Sequence, residues 1–304
     1  MKRTRTVLSR CFHAIKRQNA MKGSDLMQDF KLVSDSCCDL TPELASFFNG
    51  EMVPFSMLLE NINYTDDDSL DIGHWLAAMK ASKSVPKSAC PPPEAFAQKM
   101  RKSSIVFGSM ITSKLSGAYN SACMARDIVK KESPGKQIHI FDSKSASAGQ
   151  LAVACKLRDC IQAGMDFDTT VRKVTHFIEH MHTFFILENL DTLIKNGRMG
   201  RIVGYVASAM SLRPIMTAVD GEIRLFEKAR GSVRAFTRLV DIIGECCTDF
   251  SDRTLVITHC NNDRQAHFIR AEAQKRFSFK EIIISRTGGL STMYANDGGV
   301  IIAF

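Results

Sequence analysis

The sequence predicts an α/β protein made of two α/β units with the ligand site between them. Three observations carry that expectation. Short apolar runs alternate with longer amphipathic ones, the pattern of strands alternating with helices. Strand-like runs end in polar pairs, Asp35-Ser36 and Asp142-Ser143, at the edge where open α/β sheets take ligands. The helical run from Ser147 to about Met181 breaks at Gly164 to Asp168, which divides a unit 27–165 from a unit 166–304.

The elements follow in order. Phe30 to Ser34 reads as a strand, and Thr41 with Glu43 opens a helix through Leu44, Phe47 and Phe48. Met52 to Leu59 and Asn61 to Tyr64 read as strands around a turn, and Asp71 to Ala81 as an amphipathic helix whose Trp75 belongs to the core. Pro86 to Pro93 breaks the pattern before a helix at Glu94 to Lys102. A strand at Ser104 to Phe107, a helix at Tyr119 to Lys131 and a strand at Gln137 to Phe141 complete the first unit. In the second, Thr183 to Leu187 is a strand, Leu190 to Lys195 a helix, Asn196 to Arg201 a basic loop, and Ile202 to Leu212 a buried helix. The Asp220-Gly221 pair predicts a hairpin joining Pro214–Val219 to Glu222–Phe226. Helices at Val233–Cys246 and Arg264–Phe277, and strands at Leu255–Thr258, Ile282–Ser285 and Val300–Phe304, close the chain.

Composition narrows the function. The 304 residues are 45% apolar, enough for a real core and outside any disordered class. Of the net charge of +8, +6 falls in residues 1–26, a basic leader with seven Lys/Arg against Asp25 alone. The body is then nearly neutral, without the dense basic face that nucleic acid requires. The leader is expected to be disordered or to follow an upstream start codon. Its Leu8, Cys11, Phe12 and Ile15 would also suit transient contact with an anionic membrane surface. No apolar run is long enough to cross a membrane, and the ten scattered cysteines, with no C-x-x-C pair, read as reduced thiols of a cytoplasmic protein.

The richest motif is Met110 to Ala122, where small hydroxyl residues follow a strand and open a helix. Such a turn directs N–H groups and hydroxyls at one point and suits a carboxylate or phosphate. Ser116 could equally cap the helix. Enzyme signatures are weak: Ser113 and Ser116 lack a G-x-S-x-G elbow, and there is no P-loop. His176 and His180 have metal-like spacing but no H-E-x-x-H context, so they read as a solvated face, and neither metal nor cofactor is expected.

Taken together, LVSDSCCDLTPE, SACPPPEAF, ITSKLSGAYNSA, IHIFDSKSAS, NLDTLIKNGRMGR, RPIMTAVDGEIRLFEKARGSVRA and YANDGGVIIAF resemble the DegV family, in that order, over Lys31 to Phe304. The resemblance implies the fatty-acid-binding subunit of bacterial fatty acid kinase, without catalytic activity of its own. Such a protein buries a long-chain fatty acid and presents its carboxyl group to a dihydroxyacetone-kinase-like subunit, which makes the acyl phosphate used in phospholipid synthesis. By motif match, the carboxyl-binding hydroxyls fall on Ser113 and Ser88, and a family histidine is replaced by Tyr294. Arg198 is expected to contact the anionic end. Asp35, Ser36, Ser116, Asp142, Arg201 and Arg230 are rim or partner contacts, with helix capping the competing role for the acids and serines and ion pairing for the arginines. Two alternatives stand beside this reading: an acyl hydrolase or transferase using Ser113, and a related binder of a different anionic ligand.

Overall fold

The computed structural model describes residues 29–199 and 212–304. The basic leader, Arg201 and most of the helix expected at 202–212 lie outside the described residues.

The first unit is a parallel sheet. Strands β1 (Phe30–Asp35), β2 (Glu51–Val53), β6 (Ile105–Met110) and β7 (Gln137–Asp142) lie in the order β2-β1-β6-β7, every pair parallel. Strand β6 is buried at every position, as expected of a central parallel strand with both faces covered. The chain leaves β1 toward β2 on one side and later returns to β6 on the other. The connections that leave their carboxyl ends therefore run to opposite sides and open a crevice. A small antiparallel sheet flanks that crevice, ordered β4-β3-β5 from β3 (Ser56–Leu59), β4 (Ile62–Thr65) and β5 (Lys87–Ala89). Strand β5 lies in the proline-flanked stretch read as a break, because pairing of Met57 with Ser88 supplies order that a three-residue run cannot announce.

The second unit is a mixed six-stranded sheet. Strands β8 (Thr183–Ile186), β9 (Leu212–Val219), β10 (Glu222–Arg230), β11 (Thr254–His259), β12 (Glu281–Arg286) and β13 (Val300–Ala303) take the order β10-β9-β8-β13-β11-β12. Only β11 and β12 pair in parallel. The Asp220-Gly221 turn is present, with both residues at positive φ as a tight two-residue hairpin loop requires.

Helices start where the caps predict. Thr41 and Asp71 cap α1 (Pro42–Phe48) and α2 (Ile72–Ala81) by accepting hydrogen bonds from Leu44 N and His74 N. Helices α3 (Pro93–Met100) and α4 (Ala118–Glu132) cover one face of the parallel sheet. Helix α5 (Ala148–Gln162) is wedged between the two large sheets. One apolar core joins Leu32 and Phe107 of the first sheet, Leu151 and Cys155 of the helix, and Val256 and Ile301 of the second. Small residues permit that approach: a Cβ on Gly149 would lie 1.9 Å from Ser145 Oγ. Gly164, at positive φ, ends the run, and Asp166 caps α6 (Phe167–His180). Helix α7 (Asp191–Lys195) follows β8, while α8 (Ser232–Cys246) and α9 (Asp263–Arg276) pack on the outer face of the second sheet. A short helix that the sequence pattern did not announce, α10 (Gly289–Ala295), leaves the second unit and packs into the core of the first through Leu290 and Met293.

Candidate functional site

A cavity of about 410 Å³ occupies the seam between the two units, at the carboxyl ends of β1 and β6. The first unit contributes residues that follow its strands: Cys37 after β1, Ile111 and Thr112 after β6, and Ser145 to Ser147 after β7. The loops that follow the polar strand ends line one space, whereas the pairs Asp35-Ser36 and Asp142-Ser143 themselves stand outside it. The opposite wall comes from β8 and β13, with Phe185, Leu187 and Ile301, from the β9–β10 hairpin, with Ala218, Gly221 and Ile223, and from α10.

Most hydroxyls on this wall are already committed. Ser145 and Thr183 bond each other at 2.9 Å, Ser147 donates to Asp39 at 2.5 Å and meets Thr258 at 2.7 Å, and Ser291 lies 3.5 Å from Cys37 Sγ. Thr112 Oγ1 accepts from Lys114 N at 3.2 Å and keeps its own proton, and three further groups keep capacity for a ligand. Ser116 Oγ accepts from Ala118 N at 3.2 Å, which leaves its own proton to donate. Ser88 Oγ and Tyr294 OH lie 3.3 Å apart, and one shared bond uses one of their two protons. Arg198 donates to the carbonyls of Leu115, at 3.3 Å, and Asn196, and it is the sole Lys or Arg among the described lining residues. These groups gather at one side: Cys90, two residues after Ser88, abuts Gly117, and Asn196 donates to Pro86 O at 2.9 Å.

The motif-derived assignment of Ser113 needs correction. Ser113 is not among the residues lining the cavity, and its N–H points to the Asp142 carboxylate, 3.2 and 3.3 Å away. Asp142 also accepts from Lys144 N, so it pins two loops together instead of forming a rim. From the same loop, Thr112 and Ser116 line the cavity. Of the other expected contacts, Ser88, Arg198, Ser116 and Tyr294 line the cavity, whereas Asp35, Ser36, Asp142 and Arg230 do not. Arg230 is exposed at the end of β10. Asp35 is fully buried and accepts from Cys37 N, Ile111 N and Gln150 Nε2, so it orders the loops behind the wall, and burial lifts its pKa to about 6. Ser36 Oγ accepts from Phe55 N at 3.0 Å.

Sequence reasoning missed the clamp on α10, the helix that carries Ser291 and Tyr294 into the cavity. Asp66 accepts from Gly289 N at 2.5 Å and Leu290 N at 3.0 Å, and Asp39 accepts from Gly288 N at 2.7 Å. Carboxylates here satisfy orphan N–H groups at the positive end of the helix. Trp75, fully buried as expected, donates its indole N–H to Gly289 O at 3.2 Å. A Cβ on Gly289 would stand 2.4 Å from Leu70 Cδ2 and 2.6 Å from Asp66 Oδ1, so only glycine fits. Burial raises the pKa of Asp39 to about 7, and that of Asp66 upward as well, against the hydrogen bonds that favour their anions. The Gly288-Gly289 pair and the two far upstream acids Asp39 and Asp66 were the available signals, but nothing local links them.

A second closure comes from the hairpin. The tip at Gly221 sits against Thr112, where a Cβ would lie 2.2 Å from Oγ1, and Lys144 pairs with Asp220 at 3.5 Å. Loops from the second unit therefore lie across the hydroxyl loop of the first. Among the described residues no helix is long and apolar enough to cross a membrane.

Comparison with known proteins fits this geometry. A family model described as "Uncharacterised protein, DegV family" matches residues 29–304. A DegV domain-containing protein of Streptococcus pyogenes serotype M18 is 32% identical over 278 residues, 90% of this chain and 99% of its own. A DegV family protein from Ruminococcus gnavus, solved with vaccenic acid, is 38% identical and superimposes with a TM-score of 0.87 over 90% of this chain and 99% of its own. The Streptococcus pneumoniae fatty acid kinase B3 protein, loaded with linoleic acid, is 30% identical, with a TM-score of 0.84 over 91% and 99% of the two chains.

Proposed function

This chain belongs to the DegV family, and from that premise we propose that it buries a long-chain fatty acid and presents the carboxyl group to a separate kinase subunit. One observation carries the reading: an apolar cavity between two units in which the hydrogen-bond donors Ser88, Tyr294, Ser116 and Arg198 are gathered on one side. Burying about a dozen methylenes at ~0.8 kcal/mol each contributes on the order of 10 kcal/mol, so the polar end sets orientation more than affinity. A carboxylate beside apolar walls must be hydrogen-bonded, and neutral hydroxyl donors with one arginine meet that need. The motif-matched role of Ser113 passes to Ser116.

Hydrolysis is disfavoured by the same wall. Among the described lining residues none is histidine, aspartate or glutamate, so no general base stands beside a lining serine. Within this reading the units divide at the turn from Gly164 to Asp168, the protein works in the cytoplasm, and Arg198 faces the dihydroxyacetone-kinase-like partner.

Native mass spectrometry of protein purified from cells, followed by organic extraction, tests the proposal. A fatty acid near one equivalent is expected, reduced in Ser116→Ala and retained in Ser113→Ala. Arg198→Ala is expected to keep the ligand while slowing its phosphorylation by the kinase subunit. Protein that carries no lipid and takes up none from fatty acid solutions would sink the reading.

A further inference from the structure

Far from the acyl cavity in its chemistry, the last turn of α6 gathers three side chains with metal-ligating atoms. His176, Glu179 and His180 are all exposed, and one donor atom from each lies within 4.8 Å of the others. The helix explains the grouping. Its Thr170, Val174 and Ile178 face the core, and positions i, i+3 and i+4 on the opposite side share one face. The two imidazole rings stand 4.2 Å apart.

The protonation pattern fits a ligand. His180 Nδ1 lies 2.8 Å from the His176 carbonyl oxygen, and a carbonyl can only accept, so the proton sits on Nδ1. The lone pair is then on Nε2. A backbone carbonyl bound to the far ring nitrogen is the usual support of a metal-bound histidine. The site also lies at the negative end of the helix dipole, which favours a cation. His182 is set apart, half-buried and packed against Phe304 with ring centroids 5.4 Å apart.

We propose that His176, Glu179 and His180 form a surface site for a divalent transition cation of the zinc class, with its remaining coordination position open to water. Zinc takes nitrogen and oxygen ligands at about 2.0–2.2 Å, which side-chain rotation alone can supply from the observed spacing. Two imidazoles select zinc, copper or nickel over magnesium and calcium, which prefer oxygen ligands. The H-E-x-x-H template misses this arrangement because its glutamate follows the first histidine directly, whereas here it precedes the second. The solvated face read from sequence is the same face, with a ligand set on it.

Calorimetric titration of the full, tag-free chain with zinc chloride tests the site, with magnesium chloride as the control. One equivalent of zinc is expected, with no magnesium uptake. His176→Ala and His180→Ala should each weaken binding by at least about tenfold, as loss of a ligand does more harm than loss of its support. Glu179→Gln should weaken it less, but measurably. All three residues are exposed, so melting in EDTA should match the parent, while zinc should raise the melting temperature of the parent alone. Absence of zinc binding, or unchanged affinity in His180→Ala, would overturn the site. Full affinity in Glu179→Gln would overturn the three-ligand assignment.

Discussion

The two walls of the cavity are held in opposite ways. The loop from Thr112 to Gly117 is built on bonds within its own unit, with Arg198 and the hairpin tip of the second unit resting on it: Leu115 N and Ser116 N bond to Thr112 O, Ala118 N to Ser116 Oγ, and Ser113 N to Asp142. Helix α10 has no side-chain cap from its own segment and is held from the other unit by Asp39, Asp66 and Trp75. A self-supporting wall can wait for a ligand in place. A wall clamped from across the seam has its position tied to how the two units meet, so ligand capture and unit packing are one problem there.

If that contrast holds, damage to the clamp should cost far more stability than damage to the loop. The largest effect is expected for Trp75→Ala, which removes a fully buried indole and the bond to Gly289 O, at about 4 kcal/mol. Trp75→Phe keeps most of the packing and should cost about 1 kcal/mol, the net worth of the lost hydrogen bond. Urea denaturation gives both numbers. Equal losses in the two variants would mean that the indole bond, not the packing, carries the role.

Next comes pH. Asp35 and Asp39 have pKa values raised by burial to about 6 and about 7, and Asp66 is raised for the same reason. The folded state therefore binds more protons than the unfolded chain between about pH 4 and 7, and stability falls as pH rises through that window. Asp39→Asn should flatten part of that fall. Glu51 works at the other limb: burial opposes it, but hydrogen bonds from Lys102, Lys99 and Lys31 hold it at about 2, so its contribution is lost below about pH 4. Denaturation midpoints from pH 3 to 8 should peak between these limbs. A rise in stability from pH 5 to 7 would contradict the buried-acid account.

The same contrast explains what was legible in the sequence. The helix starts at Thr41 and Asp71 and the Asp-Gly hairpin are local signals, and each stands where it was expected. Helix α10 and strand β5 were invisible because their order is borrowed: Asp66 reaches 223 residues along the chain to Gly289, and Met57 organises Ser88. Ser113 and Ser116 raise the same difficulty: two hydroxyls three residues apart on one loop look alike in sequence, and of the two it is Ser116 that lines the cavity.

Asp66→Ala comes third in size. It leaves Gly289 N and Leu290 N without acceptors in a buried place, which costs about 2 kcal/mol. Because α10 carries Tyr294, lipid retention should fall with stability in this variant. Retention that survives the stability loss would separate the clamp from the site.

Ser88→Ala should move stability least and ligand most, which makes it the sharpest probe of the loop side. Ser88 is half-buried, and its bond to Tyr294 at 3.3 Å is long, so its removal should cost less than about 1 kcal/mol. The Tyr294 hydroxyl keeps its own proton in that variant, and Tyr294→Phe leaves Ser88 with its own, so either single change preserves one donor to the carboxyl group. The double variant removes both and should lose retention by more than the two single losses combined, because the pair supplies interchangeable protons to one acceptor. Extraction and quantification of bound fatty acid from the four proteins decides it. Strict additivity would show that Ser88 and Tyr294 contact different parts of the ligand, and that the Tyr294 hydroxyl has not taken over the seat beside Ser88.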